Sequence, residues 1–375
     1  MLTIGIAGAG LLGRLLAWRL SLAGHRVILC DKNPAHSQSA AAFTAAGMVS
    51  PLSELAVSER QIYDLGLRSM QLWPRWLEQL NARHLYSKNG SLVLAHAQDQ
   101  AELAQFHNDL KRRLVQEPFD ADTVSQAQIK ALEPQLAHFQ QGIFLPEESH
   151  LDNRQLLPLL CAAIVKLGGR LLWDCAIAFD NTVPTADSMA RLQAHGISHP
   201  IDLWLDTRGV GAKQSRSSVR GVRGEVMAVH TPEITLRRPV RLMHPRYQLY
   251  IVPKADQHFV IGATQIESED LSPISLQSTL ELASALYTVH PAFGEARVVE
   301  SPTNLRPSLP DNLPIAEKRG QYLFVNGLFR HGYLLAPAVC ERIEHLLKKP
   351  LLPDQWRADF TSTGFTEADH DFHYI

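Results

Sequence analysis

The chain has 375 residues, 45% hydrophobic and 20% charged, an ordinary globular composition with room for two domains or one large domain with a second embedded in it. Its 36 basic and 38 acidic residues leave a net charge of −2, so no global field draws it to nucleic acid or to an anionic membrane. Cys30, Cys161, Cys175 and Cys340 fall at no metal-ligand or redox-pair spacing and read as buried, inert thiols of a reducing, cytoplasmic compartment, and the longest uncharged apolar run, residues 156–165, is too short to span a bilayer.

In chain order, LTIGIA (residues 2–7) is an apolar run ending at the first of three glycines. Leu12, Leu15, Leu16 and Leu20 then recur on one helical face, Gly24 stops the helix, and RVILC reads as a second strand. Between strand and helix lies GAGLLG. Gly8 suits the tight turn, Gly10 lets the backbone approach a pyrophosphate, and Gly13 lets the helix pack on the strand. The helix start offers free N–H groups and a positive dipole end to phosphate. Asp31, at the end of the second strand, is placed to accept from ribose hydroxyls. NAD and FAD share this fingerprint.

Polar, Ala-rich sequence leads to TAAGMVSP (residues 44–51), small residues that let the backbone come close to a flat ring system. Residues 59–83 predict a helix kinked or broken near Pro74, and residues 102–113 a second helix. QGIFLPEESHLDNRQLLPLLCAAIVKLGG predicts a strand, a turn and a helix with a Gly-Gly stop, and GRLLWDCAIAF and IDLWLDTRG predict further strands. After about Arg220 the pattern changes: GEVMAVH, YQLYIVPK and HFVIGAT alternate like antiparallel strands, the last two joined by ADQ as a hairpin turn. A helix over residues 276–287 and a strand ARVVES follow, and SPTNLRPSLPDNLP reads as a rigid, proline-rich loop. YLFVNG predicts a strand and GLFRHGYLLAP (residues 327–337) a second glycine-bounded helix start, fit to face the N1–C2=O edge of a flavin. The last helix runs through Val339 to Leu347, and the polar tail after Pro353 reads as loose. The histidine pair in HGISH is read as no metal site, because a glycine lies inside it and a proline follows.

This order predicts a mixed α/β (α+β) fold: a Rossmann-type FAD-binding domain with an inserted antiparallel-sheet substrate domain. The boundaries drawn are 1–85, 145–220 and 300–375 for the cofactor part, and 86–144 and 221–299 for the substrate part.

GAGLLG, AAGMVSP, VRGEV, YIVPK…VIGAT, NLRPSLPD and GLFRHGYLLAP, taken in order, resemble the D-amino-acid-oxidase-type flavoproteins nearly end to end, and within them the glycine oxidases of thiamine-thiazole synthesis. The resemblance implies noncovalent FAD, with Leu11 and Leu12 at the pyrophosphate and Asp31 and Lys32 at the adenosine ribose. It places Ile177 at the adenine, Ala46, Gly47 and Met48 near the ring, and His331, Gly332, Tyr333 and Leu334 along the pyrimidine edge. Arg306, Arg330 and Tyr250 match substrate-contact positions. Departures occur at Gln265, where a methionine covers the substrate, at Asn304 and Ala316, where glycine is usual, and in LDTRGVGA. Gln265 and Asn304 bear on the choice of amine and leave the flavin untouched.

Amino-acid oxidation at the α-carbon needs an anchored carboxylate, a neutral amine and a positive neighbour for the reduced ring. Arg306 suits the anchor, a guanidinium fork charged at any working pH; the alternative is a surface arginine paired with Asp311. Tyr250 donates to the same carboxylate or simply packs in its sheet. Arg330 contacts substrate or flavin, or caps local structure. Gln265 lines the pocket. His331 modulates the flavin edge, or caps or packs. Arg223 is read as structural.

Three activities follow. The first is an oxidase of glycine or a similar small amine that releases an imine and, with molecular oxygen, hydrogen peroxide. The second is a D-amino-acid dehydrogenase using another acceptor. The third is a flavoprotein acting on a modified tRNA base, disfavoured by the charge balance. No metal, nucleic acid or membrane partner is expected, and a homo-oligomer is compatible with the sequence.

Overall fold

The computed structural model describes residues 1–115, 117–245 and 249–348 and the backbone of Gln355–Ala358. The opening unit forms as its pattern predicts: strand Thr3–Ala7, helix Leu11–Leu22 and strand Arg26–Cys30. These two strands are central to a seven-stranded sheet, in the order Gln355–Ala358, Ile315–Arg319, Tyr322–Asn326, Leu203–Asp206, Thr3–Ala7, Arg26–Cys30, Arg170–Leu172. The last five are parallel. Such strands are covered on both faces, and alternate residues separate accordingly. Ile4, Ile6, Val27 and Leu29 join the core under helices Leu11–Leu22, Arg60–Gln79, Asn153–Lys166 and Gly332–Leu347. Ala7, Ile28 and Cys30 enter a second core with Trp204 and Tyr322 on the other face.

A nine-stranded sheet forms the second layer, in the order Arg297–Glu300, Arg220–His230, His258–Gly262, Leu249–Pro253, Val240–Met243, Ser91–Ala95, Gln141–Leu145, Asp122–Ser125, with Thr303–Ser308 also paired to Arg220–His230. It is antiparallel except where Val240–Met243 meets Ser91–Ala95. Helix Leu276–Val289 packs on one face through Leu282 and Leu286 against Met227, Ile251 and Ile261. Ile251 points into that core, so Tyr250, Val252 and Lys254 alternate onto the opposite face.

Several expectations are corrected. The helix Arg60–Gln79 runs unbroken through Pro74, because Trp73, Trp76 and Leu77 are buried around the proline and outweigh one missing backbone hydrogen bond. The proline-rich segment is not a loop: Thr303–Ser308 is a strand, and Pro307 is tolerated there because that strand is an edge. It lies with the large sheet, beyond the boundary drawn at residue 300. The strands Ser91–Ala95, Asp122–Ser125, Val240–Met243 and Ile315–Arg319 were not anticipated. Of the tail expected to be loose, the backbone of Gln355–Ala358 pairs with Ile315–Arg319, and the rest lies outside the described residues. Cys161 is only half-buried, whereas Cys30 and Cys175 are buried in one core. Among the described residues no helix is long and apolar enough to cross a membrane.

Candidate active site

A continuous groove of about 1660 Å³ runs between the two sheets. That exceeds the roughly 300–1,000 Å³ of an ordinary small-molecule pocket. Every site residue expected from sequence lines it except Gly13. Gly13 lies beneath: a Cβ there would sit 1.9 Å from the Gly8 carbonyl oxygen, so this glycine serves helix-on-strand packing. Gly8 has a φ of +100°, open to few other residues, and its N–H bonds the Cys30 carbonyl at 2.8 Å. A Cβ on Gly10 would meet no atom within 4 Å. The helix starts over open space, with no acid in its first turn and no side-chain cap on its free N–H groups. Asp31 braces the turn: its Oδ2 accepts the Ala9 N–H at 2.7 Å and its Oδ1 the Asn33 N–H at 2.9 Å. Lys32 is exposed beside it, and the Ile177 carbonyl accepts from Arg208 at 3.1 Å.

Ala46, Gly47 and Met48 also line the groove. Gly47 has a φ of +74°, and a Cβ there would lie 2.4 Å from the Leu151 carbonyl oxygen. The Asn153 side-chain amide donates to the Ala45 and Ala42 carbonyls at 2.7 and 2.9 Å. Asn304 does not reach toward a substrate: its amide donates to Ser39 O at 3.0 Å and Thr44 Oγ1 at 3.2 Å, holding the same loop from the other side.

At the far end, strand pairing gathers the polar residues. Arg306 stands opposite Val222, and Tyr250 opposite Gly262. The Arg306 guanidinium lies over Gly224, where a Cβ would be 2.3 Å from its Cζ, and donates to the carbonyls of Thr264 at 2.9 Å and Arg223 at 3.2 Å. Asp311 is not its partner; that carboxylate accepts the Leu313 N–H. Tyr250 packs over Gly262, and burial pushes its phenol up. Arg223 is a buried pair with Glu225 at 2.6 Å and lies off the groove wall.

Arg330 and His331 converge on a residue that the sequence reading missed, Glu54. Its Oε2 is 2.9 Å from both Arg330 Nη2 and His331 Nε2, and its Oε1 accepts from Arg241 Nη2 at 2.7 Å. Burial would raise this carboxyl, but Arg330, His331 and Arg241 together hold it well below the usual range. Burial also lowers His331 despite the pull of Glu54, which keeps the ring neutral at pH 7. Arg330 Nε also lies 3.2 Å from His331 Nε2, but one nitrogen cannot both donate and accept, and the ionised Glu54 selects the Nε2–H tautomer. Gln265 accepts weakly from Arg330 at 3.4 Å. Three arginines and one carboxylate therefore surround Tyr250: Arg306, Arg241 and Arg330 against Glu54.

The groove has room for a dinucleotide. The Cβ positions of Gly10 and of Gly332, at the start of the second helix, are open. Ser50 Oγ, Arg241 Nε and His331 Nδ1 are buried on its wall with no partner among the described residues. No motif spacing links Glu54 to Arg241, 187 positions away, so only the fold joins them. Lys254, quoted within YIVPK but given no role, is the other omission, and its period-two relation to Tyr250 was the available signal. No three His, Cys, Asp or Glu side chains form a metal cluster among the described residues.

The family model for FAD dependent oxidoreductases, DAO, matches residues 3–346. A Rhizobium etli protein named as a thiamine biosynthesis oxidoreductase, ThiO, is 38% identical over 343 residues, covering 91% of this chain and 95% of that one. The glycine oxidase of Bacillus subtilis is 25% identical over 374 residues, 94% of each chain. In three dimensions, the glycine oxidase of Geobacillus kaustophilus superposes with a TM-score of 0.75 at 22% identity, covering 94% of this chain and 97% of that one.

Proposed function

The chain belongs to the DAO family of FAD-dependent oxidoreductases, and from that premise we propose that it oxidises glycine or a similarly small amine or amino acid at the α-carbon. The product is an imine that hydrolyses to the oxo acid and ammonia. The name of the Rhizobium etli relative supports a place in the synthesis of the thiamine thiazole. Molecular oxygen is the acceptor in this reading, hydrogen peroxide the second product, and the cytoplasm the compartment.

The carrying observation is the charge around Tyr250: three guanidiniums against one carboxylate leave two positive charges at that end of the groove. One matches the substrate carboxylate. Arg306, bonded among the described residues only to carbonyls, is the fork that receives it, and Tyr250 supplies a second donor. The other favours the electron-rich state of the ring. The same field disfavours an ammonium, so the bound amine is driven to its neutral form, with its lone pair free to assist C–H cleavage. Glu54 holds Arg330 and Arg241 in place. Gly8, Gly10, Leu11, Leu12 and Asp31 take the pyrophosphate and ribose, Lys32 and Ile177 the adenosine, Ala46–Met48 the ring, and His331–Leu334 its pyrimidine edge, with Gly332 leaving space for it. Bound FAD supplies the hydride acceptor that the side chains lack.

The test is one anaerobic spectrum of the purified protein before and after glycine. The visible flavin band should bleach with glycine and return on admitting air, with peroxide formed. Bleaching without return in air would make the enzyme a dehydrogenase. A band that glycine leaves unchanged would remove glycine and turn the search to bulkier and N-substituted amines.

A further inference from the structure

Lys254 closes the strand Leu249–Pro253, four residues beyond Tyr250 and on the same face. It is not on the groove wall. Its side chain runs behind residues 46–48, with Nζ 3.3 Å from where a Gly47 Cβ would be. The ammonium donates to Ala46 O at 2.7 Å, Leu151 O at 2.8 Å and Asn153 Oδ1 at 3.3 Å. All three acceptors are neutral, so its three protons are satisfied and its charge is not. The charged and titratable groups around it are few. Asp152 attracts the ammonium without bonding it, its Oδ1 being turned to the N–H groups of Arg154 and Gln155; Arg154 opposes it, and His150 is kept neutral, pulled down to about 3 by burial and by Lys254 itself. Removal from solvent brings Lys254 down to about 8.

A neutral amide or amine could tie two of these oxygens, and only an ammonium supplies the third proton. Holding an ammonium there costs desolvation, and what it adds is a fixed positive charge in a low-dielectric site. Given the placement of the flavin ring at Ala46–Met48, on which this inference rests, we propose that Lys254 is a positioning residue of the cofactor site: it fixes the backbone that faces the ring, and its charge behind that backbone raises the reduction potential of the bound flavin. Reduction makes the ring more negative, so a nearby cation favours the reduced form. One strand then serves both reactants, Tyr250 the substrate and Lys254 the cofactor.

The test compares the holoprotein with Lys254→Met and Lys254→Arg. The readouts are flavin midpoint potential against pH, FAD dissociation and apoprotein melting. Lys254→Met should shift the potential negative by a tenfold or larger change in the two-electron equilibrium, about 30 mV. Lys254→Arg should restore it. In the wild type the potential should fall more steeply with pH above about 8, where the oxidised form has lost the lysine proton and reduction takes it up again. Lys254→Met should lack that change of slope. An unmoved potential in Lys254→Met overturns the proposal, and so does a restored slope without the lysine. If Lys254→Met neither folds nor holds FAD, the wild-type profile decides alone, and one constant slope from pH 7 to 10 overturns it. A wild-type chain that takes up no FAD overturns the ring placement as well, whereas FAD uptake with an unmoved potential overturns this inference only.

Discussion

Arg306 bonds to two backbone carbonyls over the bare Cα of Gly224, so its position is set without an acid and its charge stays available to a ligand. Arg306→Ala should therefore keep the flavin spectrum and lose turnover of carboxylate-bearing amines, by roughly 2–5 kcal/mol in kcat/KM. Steady-state kinetics within a factor of two of wild type would take Arg306 out of the site. Glu54 gives a pH-dependent counterpart. Its carboxyl is depressed in the folded state, so its contribution is fully present above the unfolded value of about 4.3 and is lost as pH falls through the folded one. Glu54→Gln should lower stability at pH 7 by roughly 3–5 kcal/mol, by leaving the buried Arg241 guanidinium without its charged partner. It should also flatten the acid limb of the stability curve. Urea midpoints measured from pH 7 down to pH 3 check both, and parallel wild-type and variant curves would show that Glu54 carries no such linkage. The place of Arg306 on the groove was legible from its motif, NLRP. Glu54 was not, because a carboxylate in PLSEL acquires meaning only from Arg241, Arg330 and His331, which the fold supplies.

The glycine turn and its helix separate two requirements that the sequence motif merges. Gly13 answers to the protein: a Cβ would collide with backbone at 1.9 Å, where nothing can swing away. Gly10 meets no such constraint from the protein, since its Cβ position is open, and under the proposed function it faces the pyrophosphate. Gly13→Ala should lower the melting temperature of the apoprotein. Gly10→Ala should leave it unchanged while weakening FAD tenfold or more, about 1.4 kcal/mol. Calorimetry of the two apoproteins and flavin titration separate them, and unchanged FAD affinity in Gly10→Ala would move the pyrophosphate elsewhere. Elements with one dominant signal were legible in this way: the opening strand–helix–strand unit, the hairpin around ADQ and the last helix. Where local chemistry and tertiary packing disagree, packing prevailed. Pro74 stays helical under Trp73 and Trp76, and Pro307 stays in a strand because that strand is an edge. Short strands such as Ser91–Ala95 are buried on both faces and show no alternation to read.

Across the whole molecule, the groove has one wall from each sheet. Gly8, Asp31 and Gly332 border the seven-stranded sheet, while Tyr250 and Arg306 come from the nine-stranded one. The order of parallel, antiparallel and closing segments made this arrangement legible, but the 303–308 strand had to be seen in place before Arg306 could be assigned to the far wall. A ligand that touches both walls binds only when both are folded, so it stabilises the chain as a unit. At a hundred times its dissociation constant, FAD should add about 2.7 kcal/mol. In a chain of this size the melting temperature should rise by a few degrees, as one transition rather than two. Differential scanning calorimetry of apoprotein and holoprotein measures it directly. Two transitions in the holoprotein, with FAD moving only one of them, would mean that the cofactor is held by the parallel sheet alone. Arg306 and Tyr250 would then have to reach the substrate across a joint that FAD does not brace, and the shared-wall account of the site would fail.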